Sequence, residues 1–327
     1  MRHWASQSLL KIRFLLVAAL LFASCKTLPQ WESQNPWGLF PSDGSLYLYL
    51  PVPEHRELLD TLLFRERDGS QNKGGASKGI VYLLDHTSEL FLVLLGSDSG
   101  EFPSKSSSLR WILAGVGEYS SFLLRLSLTP EEGWEERKIR TSGYSLSYFQ
   151  HRGSGLQVAL PDTCLLIVSS GEIEFPLKQF VLPRTDPSLH FQPLGVNKQP
   201  PLPISLYIPK TGISFLTIFL EPELQPRNRE SAIEAFRMEL YRKDPLSYSA
   251  TGSILFLKEE QARSMSVLVR LAFAGWFLQQ GGKGGPNSIQ ILVNGTSIEF
   301  SGLPLSMETI AQFVQSMIDT IARTSSW

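Results

Sequence analysis

The chain has 327 residues, 43% apolar and 19% charged, with 30 Lys and Arg against 31 Asp and Glu. That length can bury more than one ordinary core, the apolar content excludes a disordered chain, and the balanced charge excludes a nucleic-acid binder that works through a general basic field. Two cysteines and five scattered histidines exclude a disulfide scaffold and a Cys/His structural zinc site.

The N-terminus comes first in chain order. Residues 1–13 hold Arg2, Lys11 and Arg13 and no acid, and Phe14–Ala23 follows as an unbroken apolar run of ten. A basic stretch followed by about 7–15 apolar residues is the layout of an export signal. A spanning helix needs roughly 20 apolar residues, so this run is too short, and Lys26 closes it. Two small residues, Ala23 and Ser24, then stand directly before Cys25.

The segment Leu21-Phe22-Ala23-Ser24-Cys25 resembles the lipobox of bacterial lipoproteins. The resemblance implies cleavage between Ser24 and Cys25, a diacylglyceryl group on the Cys25 sulfur and an acyl chain, such as palmitate, on the new amino group. Phe22 departs from the commoner Leu, as in the looser spirochaetal form of the motif. Each buried methylene adds about 0.8 kcal/mol, so two or three chains make a permanent anchor. Residues 1–24 carry three cations and no acid, so a body cut before Cys25 has a formal charge of −4. Such a body is held at anionic lipid by its acyl chains and not by its charge.

The expected organisation is a signal peptide over 1–24, a lipidated tether over 25–44, a first domain over 45–182, a Pro-rich linker over 183–203 and a second domain over 204–327. The tether holds Pro29, Pro36 and Pro41 and reaches at most about 60 Å. Its Trp31 and Trp37 either rest at a membrane interface or pack onto the first domain. The linker has six prolines in 21 positions, a density that neither a helix nor a central strand tolerates.

In the first domain Ser45–Val52 alternates as a strand. Pro53 opens a helix with Leu58, Leu59, Leu62 and Leu63 as its buried stripe. Residues 79–84 and 89–95 read as strands, Ser106–Leu113 as a short helix, and Phe122–Leu128, Ile139–Tyr148, Leu156–Leu160 and Cys164–Val168 as further strands. In the second, Ile204–Ile208, Ser214–Leu220 and Ser247–Leu257 read as strands, and Glu234–Arg242 fits strand or helix, with Phe236, Met238 and Leu240 favouring strand. An apolar helix over 259–280 follows, buried on most sides or, in the alternative, facing lipid, and then a hairpin turning at Asn294-Gly295. With that turn Ile289 pairs with Phe300 and Ile291 with Ile298. Ser306 caps a last helix that buries Ile310, Phe313, Val314, Met317 and Ile321. Ser45-Leu46-Tyr47 and Ser205-Leu206-Tyr207 echo each other, as do Ile173-Glu174-Phe175 and Ile298-Glu299-Phe300. The fold class is α+β: two bodies, each a mainly antiparallel sheet packed by one or two helices.

Catalytic chemistry finds no support. No His pair has ligand spacing. Asp85-His86 reads as a solvated turn, His55 as a surface residue in a first helical turn, and Cys164 as an inert buried thiol. Gly96-Ser97-Asp98-Ser99-Gly100 has Asp where a nucleophile elbow needs Ser. Gly281-Gly282-Lys283-Gly284-Gly285 follows a helix where a phosphate loop precedes one. The expectation is a non-catalytic, lipid-anchored protein of the cell envelope with a binding or structural role, on the periplasmic face or the surface. It needs no cofactor or metal and meets the membrane through Cys25. The alternative is a carrier of a lipid or small solute in an inter-domain cleft or helix-lined groove.

Overall fold

Strands of alternating apolar residues join here into one sheet. The computed structural model describes residues 36–64, 76–96, 110–182, 202–213, 232–279 and 289–324. The strands are β1 (Gly44–Pro51), β2 (Thr87–Leu95), β3 (Arg110–Gly117), β4 (Trp134–Thr141), β5 (Tyr144–His151), β6 (Gln157–Asp162), β7 (Leu165–Ser169), β8 (Ile204–Pro209), β9 (Ile233–Asp244), β10 (Ser247–Phe256), β11 (Gln290–Asn294) and β12 (Ser297–Ser306). The α-helices are α1 (Arg56–Phe64), α2 (Ala76–Asp85), α3 (Ser121–Ser127), α4 (Glu174–Val181), α5 (Glu259–Gln279) and α6 (Met307–Thr324). The order across the sheet is β11-β12-β10-β9-β8-β1-β2-β3-β7-β6-β5-β4, and every neighbouring pair is antiparallel.

Cross-strand partners share a face. The register sets Leu48 against Leu206, Leu206 against Met238, Met238 against Gly252 and Gly252 against Phe300, one row across five strands. Gly252 lacks a side chain because the Phe300 ring takes its space: an added Cβ would lie 2.5 Å from that ring and 2.3 Å from the Arg237 carbonyl oxygen. This helix-covered face meets α1 and α6 through Leu58, Leu59, Ile310 and Ala311, and α2 through Leu84. It meets α3 through Leu124, and α5 through Ala262 and Phe273. The other face carries Tyr47, Tyr49, Phe91, Val93, Ile112 and Ile167 and is closed by Leu177 and Phe180 of α4 and by Trp37 of the 3-10 turn Pro36–Leu39. Trp37 stands edge-on to Phe91 at 5.1 Å. It packs on the body, as one of the two sequence alternatives has it.

The α+β character and the antiparallel pairing stand, but the two sheets expected from the sequence are one. β1 pairs with β8, Tyr47 opposite Tyr207, so strands from either side of 183–203 share a ladder. They also share a core, in which Leu50, Val52 and Leu58 pack with Ile204, Leu240 and Tyr248. The physical reason is that β1 and Ile204–Ile208 are apolar on both faces, and such strands belong inside a sheet and not at its edge. Residues 183–201 of the linker, Ser214–Leu220 and Gly281–Gly285 lie outside the described residues.

Several elements differ from expectation for local reasons. Residues 79–84 belong to α2, since a short unbroken apolar run fits helix and strand alike. Phe122–Leu128 is largely α3, started by Ser120, whose hydroxyl accepts from the Leu123 N–H at 3.4 Å. Arg110–Leu113 is strand and not helix. Ile139–Tyr148 folds back at Ser142-Gly143, both at positive φ, as a two-residue hairpin loop demands. The last hairpin turns at Gly295-Thr296, so Ile291 faces Phe300 and Val293 faces Ile298. That two-residue shift leaves the same side chains on the same face. α6 begins as expected, the Ser306 hydroxyl accepting from the Thr309 N–H at 3.0 Å.

Outward from the central β1–β8 pair, the two halves repeat a pattern. β1-β2-β3 and β8-β9-β10 run outward in sequence. A helix follows, α3 or α5, and a later strand, β7 or β12, returns to pair with the third. The Ser-Leu-Tyr echo lies at equivalent places in this repeat, on β1 and β8. The Ile-Glu-Phe echo does not, since Glu174 starts α4 and Glu299 is in β12.

Candidate functional site

Ser24 and Cys25, the residues expected to be cut and lipidated, lie outside the described residues. The candidates for chemistry are not brought together. His55 is fully buried, contrary to its expected place on the surface. Pro53–His55 form a 3-10 turn that points the imidazole inward. Its Nε2 lies 3.0 Å from the Leu202 carbonyl oxygen and its Nδ1 3.2 Å from the Tyr248 hydroxyl. A carbonyl only accepts, so Nε2 carries the hydrogen and Nδ1 accepts from Tyr248. Burial holds its pKa below the usual value, against the opposing effects of the Leu202 carbonyl and Glu54; Arg242 lowers it further.

Asp85 pairs with Arg56 at 2.8 Å, while His86 is exposed and packs at a tilt against the Tyr82 ring, so they form no acid–base dyad. His151 holds a turn, with Nδ1 3.0 Å from the Ser154 hydroxyl. Cys164 is half-buried in the turn before β7 instead of inside the strand. Among the described residues no three His, Cys, Asp or Glu side chains gather around a metal-sized space, and no helix is long and apolar enough to cross a membrane.

What the structure does assemble was in the sequence only as the alternative reading of the 259–280 helix. Among its described side chains α5 buries only Ala262 and Ser266 well, with Met265, Val269 and Phe273 half-buried. Val267, Leu268 and Leu271 are exposed, Leu271 by 63%, where the sequence suggested burial on most sides. α3 likewise exposes Phe122 by 68% together with Leu123 and Leu126. Both helices pack on the same sheet face, at opposite ends of it, and both stand at equivalent places in the topological repeat. An apolar residue exposed singly needs no explanation, but grouped exposure marks a contact surface.

Beside α3 lies an open pocket of about 210 Å³, lined by Ser121, Leu124 and Arg125 of the helix, Ser145, Ser147 and Phe149 of β5, and Leu160 and Pro161 of β6. Register extends this surface. Arg140 pairs with Ser145 and Lys138 with Ser147, so both cations share the pocket's face.

No family model matches the chain, and no curated protein matches it. Solved structures do. Crystal forms IV, III and I of TP0453, a Treponema pallidum protein, superpose with TM-scores of 0.59, 0.61 and 0.60 at 18%, 18% and 17% identity. The alignments cover 86%, 87% and 88% of this chain and 97%, 99% and 99% of the TP0453 chain. The chain is therefore similar in fold to TP0453 over nearly the whole of that protein.

Proposed function

We infer that the chain is a lipid-anchored, non-catalytic protein of the cell envelope whose body rests one face against lipid. The observation that carries the reading is the shared orientation of two apolar helices: Leu268 and Leu271 on α5, and Phe122 and Leu126 on α3, are all exposed on the helix-covered side of one sheet. Arg263 and Arg270 flank the α5 patch, as cations flank the apolar face of an interfacial helix. Phe14–Ala23 followed by Ala23-Ser24-Cys25 supports the anchor. The similarity to a Treponema pallidum fold agrees with the spirochaetal form of that motif.

One fractionation experiment tests both contacts. Labelled palmitate is expected to enter the wild-type chain, and Cys25→Ala is expected to lose the label and weaken membrane association. Adding Leu268→Ser and Leu271→Ser to Cys25→Ala is expected to release the residual membrane-bound protein without lowering its melting temperature. A wild-type chain that takes up no palmitate sinks the anchor. A triple variant that stays on the membrane as the single variant does sinks the helix contact.

A further inference from the structure

We propose that the pocket between α3, β5 and β6 binds the phosphate group of a phosphate ester. The inference does not depend on the anchor or on the α5 contact. It starts from charges left without partners. Arg125, Lys138 and Arg140 are exposed and form no ion pair among the described residues. Most other described arginines meet carboxylates: Arg56, Arg110, Arg137, Arg152, Arg237, Arg242 and Arg263 do. Arg270, Lys243 and Lys258 also form no ion pair among the described residues, but Arg125 lines the pocket and Lys138 and Arg140 stand on the adjoining strand of the same face, so three unpaired cations share one region of a chain whose net charge is −1. The acids nearest along these strands are Glu136, opposite Phe149, and Asp162, which accepts from the Thr163 hydroxyl. The excess remains positive.

The neutral lining has matching chemistry. Ser121, Ser145 and Ser147 bring three hydroxyls to the same pocket, and none has a hydrogen-bond partner among the described residues. A phosphate presents several tetrahedral oxygens and accepts from hydroxyls and from the planar Arg fork together. Leu124, Phe149 and Leu160 give the same pocket an apolar wall, and Phe122 and Leu126 are exposed on the helix above it. An inorganic ion has no use for that wall; the organic part of an ester does. The volume, about 210 Å³, suits a headgroup-sized moiety and is below the roughly 300 Å³ at which drug-sized ligand sites begin. The phosphate ester can be a soluble one or the headgroup of a phospholipid, and the chemistry at the protein is the same.

The full chain, held in a non-ionic and phosphate-free detergent, can be titrated calorimetrically with glycerol 3-phosphate and, separately, with micelles containing phosphatidylglycerol. Saturable binding is expected, weakened at least 10-fold by Arg125→Gln combined with Arg140→Gln, and unchanged by Arg263→Gln on α5. The Gln variants keep surface-exposed polar side chains, and an unchanged melting temperature checks their fold. Saturation by glycerol 3-phosphate identifies a soluble ester as sufficient. Saturation by the lipid micelles alone, with the same dependence on Arg125 and Arg140, identifies a headgroup presented at an interface. Three results overturn the proposal: no saturation by either probe, binding that the paired substitution leaves intact, or binding that Arg263→Gln weakens equally, which would mean general adsorption to positive charge. None of these bears on whether Cys25 takes up palmitate.

Discussion

His55 joins parts of the chain that are far apart in sequence. Its two ring nitrogens reach Leu202, 147 residues away, and Tyr248, 193 residues away. Alongside it Arg242 donates to the Glu54 carbonyl oxygen at 2.9 Å and pairs with Glu57. The sequence showed a histidine in a first helical turn and no more, because partners so distant leave no local pattern. The folded-state pKa lies below the ordinary value, which is about 6.5 in an unfolded chain. Between the two values the unfolded chain holds a proton that the folded chain does not, so stability rises with pH in that window. Folding is therefore expected to weaken as pH falls below about 6.5, levelling off at the folded pKa. Urea midpoints of the wild type at pH 7.5 and 5.5, set against those of His55→Gln, check this. The substitution should remove part of the acid sensitivity, and an identical pH slope in both would show that His55 is not its source.

At the scale of elements, α6 shows what periodicity can and cannot say. Ile310 and Phe313 both lie on its apolar stripe, and Ser306 caps it as the sequence indicates. Only Ile310 is well buried; Phe313 is 40% exposed, and its helix neighbour Ala311 is buried instead. A stripe marks a direction of about 100° or more around a helix. It does not say where along that arc the sheet sits, and here contact centres on Ile310 and Ala311, toward α1. Ile310→Ala is expected to cost about 2–4 kcal/mol, in the range for a core aliphatic. Phe313→Ala should cost clearly less in the same denaturant titration. A larger loss at Phe313 would place the packing where the bare periodicity puts it. The same ambiguity hid α5. Its length was legible to within a residue, yet an apolar helix in sequence looks alike whether its second face meets protein, lipid or water. α3 was misread outright, because Phe122–Leu128 is too short for period 2 and period 3.6 to separate.

For the molecule as a whole, most strands were legible and their assembly was not. Alternation identifies a strand and its faces; it does not name the neighbour across the ladder. The proline density at 183–203 suggested a division, while Tyr47 and Tyr207 meet across it. The one available cue was that Leu46-Tyr47-Leu48-Tyr49-Leu50 is apolar on both faces, as suits a strand inside a covered sheet. The pocket beside α3 left no trace in sequence order either, because Arg125 and Ser145 come together only through helix packing, and Arg140 faces Ser145 only through strand register. Cleaving the chain at a protease site engineered between Pro183 and Pro203 is expected to leave two fragments that purify together and separate only in denaturant. Fragments that part under native conditions would restore the two-body picture.

The position of β1 also decides how the protein bears load. The chain enters this strand at Gly44, and β1 is hydrogen-bonded on both sides, to β2 through seven residue pairs and to β8 through three. A pull from an anchor at Cys25 would first meet Trp37, Leu39 and Phe40, which are buried in the core, and would then run along β1, parallel to both ladders. The bonds on the two sides would then be sheared together, whereas an edge strand pulled sideways opens like a zip, one bond after another. If Cys25 carries the proposed anchor, the body would be tensioned along its stiffest line. Force applied at Cys25 would then have to release the buried Trp37 segment and shear both ladders before it opened the sheet.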